Sequence, residues 1–416
     1  MRKGKRWLAA AVSAAMIVQS LASVGPVYAA DDGVSIADTF TDSSFRSYVS
    51  SNFDTDSNGY LSDAEISNVT SIDVSKCSPA ISSLNGLELF TNLSKLDCNE
   101  QSIRNLDIEN LENLEYIDVS SNRIDSLTLP VSAEKLTYLD ISGNKITSLT
   151  SLADYNNLVL LNANSTNLSS IDVSNMKGLK VLGVSGTTIS TLDLGSNMEL
   201  TTLYCDSMRS LPVLDVSGHE KLKNLYCAGA KSDSGVVVRS SITKLDVSGD
   251  IVLGSLDCSN SYVAELNIDN TPALTTLDCS NTRLTSIDVS KNTSLSYLDV
   301  SSNVLGAVDF TANTALRELY VKDTGINKLD VSTLTNLVNL DASSNSLAEL
   351  DIASNSLLEK LYISDNNIQG IKLDGHPDLK ELEIDNNNLV AIDISVCPKL
   401  YGDDGVFSCS GNSRDI

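Results

Sequence analysis

Basic residues are scarce in this chain: 29 Lys and Arg stand against 54 Asp and Glu, giving a net charge of −25 at pH 7. Affinity for a phosphate backbone comes from Lys and Arg displacing counterions, so the chain is not expected to bind nucleic acid, and anionic lipid is disfavoured for the same reason. Solubility is the plain use of such a charge; a cation or a basic partner is the sharper one. Histidine is nearly absent. His219 and His376 stand beside probable turns in distant parts of the chain, and neither has Cys or Asp at metal-ligand spacing, which argues against a zinc centre. No G-x-S-x-G, H-E-x-x-H or P-loop occurs, so the chain is expected not to be an enzyme. Long apolar runs are missing as well. Leu8 to Val18 is the main apolar stretch, well short of the roughly 20 residues that span a bilayer, and membrane insertion is not expected.

That stretch has another use. Arg2, Lys3, Lys5 and Arg6 precede it, and Val27-Tyr28-Ala29 supplies small residues where a signal peptidase cuts. Residues 1–29 are therefore read as a secretory signal peptide, and the protein as secreted or extracellular, with association to a cell surface left open. Cleavage would remove four basic residues, no acidic one, and the single tryptophan, Trp7.

What the chain has in quantity is repetition. A leucine recurs from Leu93 and Leu114 through Leu295, Leu316 and Leu337 to Leu379, at steps of 21 or 22 residues with a single step of 31. Each unit reads L-x-x-L-x-[VIAC]-x-x-[NT]-x-[LI]-x-x-[LI]-D-[VIL]-S, as in Leu295-Ser296-Tyr297-Leu298-Asp299-Val300. Alternation within L-x-[VIAC] predicts a short strand with one buried face. One coil cannot bury its apolar edge alone; stacked coils can, and their strands then join into a parallel sheet. The ninth-position residues Asn122, Asn144, Asn303, Asn345, Asn366 and Asn387 are expected to bond backbone groups of the next coil, with Thr166, Thr187, Thr282 and Thr324 doing so more weakly.

This pattern resembles bacterial leucine-rich repeats of the 21-residue class. The nesting of that class is visible, since Leu298-Asp299-Val300-Ser301 and Ile287-Asp288-Val289-Ser290 are near copies. The resemblance implies a right-handed solenoid with a parallel β-sheet and little helix, used for recognition of proteins or glycans, and it implies no catalytic activity. The expected organisation is a cap over 30–69, a solenoid over 70–402 and a tail or degenerate cap over 403–416, where Asp403 and Asp404 break the unit opened by Leu400. Residues 228–241 carry a ten-residue surplus, expected to loop out as an ornament.

Eight cysteines in an exported chain invite a disulfide count, but Cys98, Cys205, Cys227, Cys258 and Cys279 share one inward slot and are expected as buried thiols. A pair between Cys397 and Cys409 stays open.

The residue between the two apolar positions of each strand faces solvent on the sheet side. Down the array this column includes Tyr204, Tyr226, Asp257, Asp278, Asp299, Tyr320 and Tyr362, with Tyr116, Tyr138 and Tyr297 on the same face. Like charges on adjacent strands are costly, so Asp257, Asp278 and Asp299 invite a cation or a basic partner. The plainer account is that Asp belongs to the coil, because it recurs equally in the second half-repeat. Tyrosine is favoured in recognition surfaces, and this face is the expected partner site.

Ahead of the array, residues 54–65 read Asp-Thr-Asp-Ser-Asn-Gly-Tyr-Leu-Ser-Asp-Ala-Glu. This fits an EF-hand calcium loop at every ligand slot: Asp54, Asp56 and Asn58 by side chain, Tyr60 by carbonyl, Ser62 directly or through water, and Glu65 bidentate. Phe45, Tyr48, Val49 and Phe53 recur at helical spacing before it. One Ca2+ is expected. Dockerin modules carry two such loops and this chain has one, so a short EF-hand-like cap over the first coil fits better. The expectation is a monomeric, non-catalytic recognition protein with a protein or glycan partner. The alternatives are a structural spacer of the cell envelope or a calcium-dependent component of an extracellular enzyme complex.

Overall fold

Each repeat contributes one three-residue strand centred on Leu or Ile, and nearly every centre is fully buried, as at Leu96, Leu225, Leu298 and Leu361. The computed structural model describes residues 33–149, 152, 154–231 and 236–413; the expected signal peptide lies outside them. Among the described residues, sixteen strands form one sheet, from Ser71–Asp73 to Val406–Ser408, in the order of the coils. Every neighbouring pair is parallel and in register, leucine beside leucine, as in Leu277↔Leu298↔Leu319. A parallel pair needs a crossover, and the second half of each repeat supplies it. That half is strand-like in places: Asn105–Asp107 pairs with Ser126–Thr128, and Val213–Asp215, Lys244–Asp246 and Glu265–Asn267 form a second small parallel sheet. The enclosed side chains make one continuous apolar core from the cap to Leu400.

The ninth-position asparagines explain how the coils are spaced. They bond the preceding coil and not the next one. The Asn303 amide donates to Cys279 O, 24 residues back, and to Val300 O, while its carbonyl accepts from Leu284 N and Thr282 Oγ1. One side chain thus ties a turn that has no ladder partner to the coil before it. The threonines bond their own coil, as Thr282 Oγ1 to Cys279 O, and where an asparagine follows on the next coil they also meet its side chain, as Thr282 with Asn303 and Thr324 with Asn345. The residue just before this slot is left-handed in most coils: Ser302 (φ 55°), Asn281 (52°), Gly186 (72°). Ser, Asn, Asp and Gly fill it because larger or branched residues pay more there.

The inward slot carries Cys98, Cys205, Cys227, Cys258 and Cys279 as buried thiols. Cys397 is also a thiol, with Sγ facing Leu373 O at 3.9 Å, so it is not bridged to Cys409.

The ten-residue surplus builds a small hairpin, Ala230–Lys231 against Val237–Val238. Arg239 pins it: its guanidinium donates to Ser261 O (2.8 Å) and to the Asn281 carbonyl and side chain, and it lies 5.5 Å from the centre of the Tyr262 ring, which Arg283 also approaches at 4.2 Å.

At the other end, residues 403–413 continue the array and do not hang as a tail. Val406–Ser408 adds to the sheet beside Glu381–Glu383, and Asn412 takes the ninth-position role, accepting from Leu389 N and donating to Ile384 O. Asp403 and Asp404 fall in the turn before the strand, where charge is tolerated.

The N-terminal cap runs β1 (Val34–Ser35), α1 (Ile36–Thr39), α2 (Ser43–Asn52), β2 (Tyr60–Leu61) and α3 (Asp63–Asn68). Asp42 caps α2 through Ser44 N and Phe45 N, and its other oxygen accepts from Ser82 N and Oγ, stapling cap to solenoid. Phe40 meets Phe45 edge-on at 5.4 Å and stacks on Phe90 at 6.0 Å, so aromatic rings close the core where the first coil would otherwise be open.

Candidate binding face and calcium loop

The strands bury their central residue and, from Tyr204 to Tyr362, leave both flanking residues half-exposed on the sheet face, whereas Asp97, Asp118 and Gly183 nearer the cap are buried. All seven residues expected to form the partner face lie in one column. It runs unbroken over eight strands: Tyr204↔Tyr226↔Asp257↔Asp278↔Asp299↔Tyr320↔Asp341↔Tyr362. Adjacent members are one strand apart, about 4.8 Å. Tyr116, Tyr138 and Tyr297 stand in the parallel column one step before the leucine.

Each aspartate of the column has a local job. Asp278 Oδ1 accepts from Ser280 N (3.0 Å) and Ser280 Oγ (2.7 Å); Asp257 and Asp299 accept from the N–H two residues on. The same turn recurs in the second half-repeat, at Asp288 with Ser290, Asp309 with Thr311 and Asp330 with Ser332. The D-x-S pattern therefore exists to close a turn, which accounts for its presence on both sides of the coil. The two sets differ in surroundings. Burial and the Asp257 charge push Asp278 up to about 6, and burial followed by the Asp118 and Asp73 charges does the same for Asp97. Burial raises Asp299 against the bonds from Ser301. In the outer set, Asp288, Asp309 and Asp330 are held below the usual range by their Ser and Thr side chains. Among the described residues no Lys or Arg makes an ion pair with Asp257, Asp278, Asp299 or Asp341; the ion pairs of the sheet face are Lys95 with Asp97 and Lys360 with Glu381.

The tyrosines pair with each other. Tyr204 and Tyr226 stack at 5.1 Å with 6° between planes, and Tyr116 and Tyr138 at 4.2 Å with 10°. Tyr297 and Tyr320 are tilted, 5.5 Å apart. Tyr320 Oη donates to Glu318 (2.8 Å), and Tyr362 Oη to Glu381. Stacked rings cover each other's faces, so the inner surfaces of these pairs offer no platform to a ligand.

In the cap, Asp54, Asp56 and Glu65 place one carboxylate oxygen each within 4.8 Å of one another. Asp54 accepts from Asn58 N and Gly59 N, which folds the loop around it, and Gly59 takes φ 86° at the sharp turn. Asn58 accepts from Tyr60 N, so its side chain is turned back into the loop. Ser62 opens α3 in a reciprocal cap with Glu65. Glu65 Oε1 accepts from Thr55 N (2.7 Å) and Thr55 Oγ1 (2.6 Å). Although burial works against it, these bonds from Thr55 and Ser62 hold Glu65 at about 2. β2 pairs antiparallel with β1, Ser35↔Tyr60 and Val34↔Leu61, so a strand of the cap lies where a paired hand would bring its second loop.

A set of residues of which the sequence marked only His219 and His376, and those as neighbours of turns, lies on the far side of the core. Asn197, His219, Asp250, Thr271, Asn292, Asn313, Asn355 and His376 are all buried and occupy one position of successive coils, with the apolar Leu334 taking that place between Asn313 and Asn355. The signal was present: each stands three residues after the second half-repeat's apolar residue, as Val289 to Asn292 and Val216 to His219, the offset that separates Val300 from Asn303. His219 and His376 are thus core residues whose ring nitrogens face carbonyls of their own and the preceding coil.

Comparison with known proteins places the chain among leucine-rich-repeat solenoids. Family models described as "Leucine Rich repeats (2 copies)" and "Leucine Rich repeat" match residues 112–154 and 291–309. The functional domain of InlJ from Listeria monocytogenes, described as including a cysteine ladder, is 31% identical, with a TM-score of 0.77 over 89% of this chain and 80% of that one. The chain belongs to this internalin-like family of bacterial leucine-rich-repeat proteins. A leucine-rich-repeat protein of Leptospira interrogans (20% identity, TM-score 0.57, 80% of this chain and 93% of that one) and the effector YopM of Yersinia pestis (20%, 0.52, 78% and 85%) share the fold. None of the curated proteins compared matches the chain. Solenoids of this kind are protein-interaction scaffolds. No helix among the described residues is long and apolar enough to cross a membrane.

Proposed function

We propose that this is a non-catalytic, exported recognition protein that binds a protein partner along the column from Tyr204 to Tyr362, and that the partner presents a basic segment there. One observation carries this: three aspartates on successive strands, Asp257, Asp278 and Asp299, with Asp341 two strands further on, half-buried and without an ion pair among the described residues, on the face that the fold leaves open. Desolvated like charges in register repel, and Lys or Arg side chains laid across them would relieve that repulsion. A glycan is the weaker choice, because the paired tyrosines spend their ring faces on each other. Export rests on the leader sequence.

The test is binding of a fluorescent peptide in which Arg alternates with Thr, measured by anisotropy at two salt concentrations. The triple variant Asp257→Asn/Asp278→Asn/Asp299→Asn is expected to lose at least tenfold in affinity. The charge-matched outer variant Asp288→Asn/Asp309→Asn/Asp330→Asn is expected to bind as the parent does. Equal losses in both would mean bulk attraction to an acidic protein, and would end the assignment.

We also propose one calcium ion in the 54–65 loop, held by Asp54, Asp56, Asn58, Tyr60, Ser62 and Glu65. The convergence of three carboxylates at EF-hand spacing supports it. Its use would be structural, bracing the cap that covers the first coil.

A further inference from the structure

The buried polar column on the far side of the core has a chemical preference. Its asparagines donate backwards. Asn197 Nδ2 reaches Val173 O and Met176 O; Asn313 reaches Val289 O and Asn292 O; Asn355 reaches Val331 O and Leu334 O. Both histidines likewise put ring nitrogens against carbonyls, His219 against Val216 O and Leu194 O, His376 against Leu373 O and Ile352 O. The opposite half of the amide finds nothing: Asn197 Oδ1, Asn313 Oδ1 and Asn355 Oδ1 are buried without a partner. The column offers acceptors and lacks donors, so it suits a side chain that gives a hydrogen bond and penalises one that only receives.

Asp250 occupies this column between His219 and Thr271. It is fully buried, and both carboxyl oxygens are without a partner. By the register of the asparagines, the carbonyls available to it are those of Val216 and His219. A carboxylate has only lone pairs to set against them; a carboxylic acid has one O–H to give. We propose that Asp250 is a proton-binding site built into the core, neutral in the folded protein, and that the seam between coils at residues 213–222 and 244–253 is weakened when that proton leaves.

The surroundings agree. Asp246 on its own coil and Asp215 on the preceding one oppose a charge at Asp250; His219 turns its ring to the coil before and makes no ion pair with it; Thr271 on the following coil is uncharged and donates to Ile268 O. Burial pushes Asp250 up to about 7, with the Asp246 and Asp215 charges adding to it and the His219 and Gly218 N–H groups working against it. Those two N–H groups are engaged with Val216 O and Ser248 O. The sign follows. A carboxyl whose folded pKa is raised contributes most below its unfolded value, near 4, and its contribution is lost as pH rises through the folded value, near 7.

Two measurements on the full mature chain test this. Infrared difference spectra between pH 5.5 and pH 8.5 should contain a protonated-carboxyl band near neutral pH that Asp250→Asn removes. Thermal unfolding should give Asp250→Asn a Tm a few degrees above the parent at pH 8.5, converging with it at pH 4.5, because Asn supplies the donor at every pH. A parent spectrum with no band tied to Asp250, or a variant less stable than the parent at pH 8.5, would overturn the assignment. Asp97 and Asp278 also titrate in this window, so should Asp250→Asn fold poorly, Asp250→Ser, which likewise brings a donor, identifies the band in its place.

Discussion

An asparagine at the ninth position of a coil satisfies groups on two coils at once, and its loss should be felt accordingly. Asn303→Ala would leave Leu284 N without its acceptor and take a donor from Cys279 O and Val300 O. A buried group left unpaired costs about 1–3 kcal/mol, so the variant should be less stable by roughly 2–3 kcal/mol in urea unfolding. Thr282→Ala should cost less, since Asn303 would still accept from Leu284 N and donate to Cys279 O. The acidic column sets a second residue-scale effect. Asp97 and Asp278 stand near 6 when folded and near 4 when unfolded, so the folded state binds the extra protons and stability falls as pH rises from about 4 to 6. Asp278→Asn should flatten that part of the Tm-against-pH curve and raise Tm at pH 8. Glu65 acts in the other sense: held near 2, it contributes fully above its unfolded pKa near 4.3 and is lost as pH falls towards 2. At this scale the sequence was read unevenly. The outward column was legible because alternation by two is a strong signal. The polar column of Asn197 to His376 was not, because a polar residue after D-V-S looks like an exposed turn until the second half-repeat is seen to bury it.

Among the elements, the cap has the most to lose. α2, the loop and α3 rest on the first coil through Phe40, Phe53 and Phe90 and through Asp42 on Ser82. Three carboxylates gathered within 4.8 Å repel when bare. Removing calcium with a chelator should therefore lower the Tm and open residues 33–70 to protease, and Glu65→Gln should mimic chelation. Unchanged melting and an unchanged cleavage pattern would remove calcium from the account. α2 and α3 were legible from apolar spacing and from the twelve-residue loop motif, and the four-residue α1 was not. The strand Val34–Ser35 that pairs with the loop was not, since two residues carry no periodicity. The surplus at 228–241 announced itself by breaking the spacing, but not its pinning: Arg239 reaches Asn281, 42 residues on, and no local pattern predicts such a contact.

Across the whole molecule, the parallel register was legible from spacing alone, because stacking equal repeats leaves few other ways to bury the leucines. The continuation of the sheet through Val406–Ser408 was hidden by Asp403 and Asp404, which read as a stop and are a turn. Repetition also means that each coil answers chiefly to its neighbours, so what the face recognises is set by a sequence of rungs and not by a shaped pocket. Removing residues 274–294, one repeat of 21, would bring Asp257 next to Asp299 and shorten the acidic run by a single rung while every surviving coil kept an equivalent neighbour. The face is in that sense a ruler, in which one strand is the unit of length, and a partner would be selected by how many charges it can lay down at that pitch.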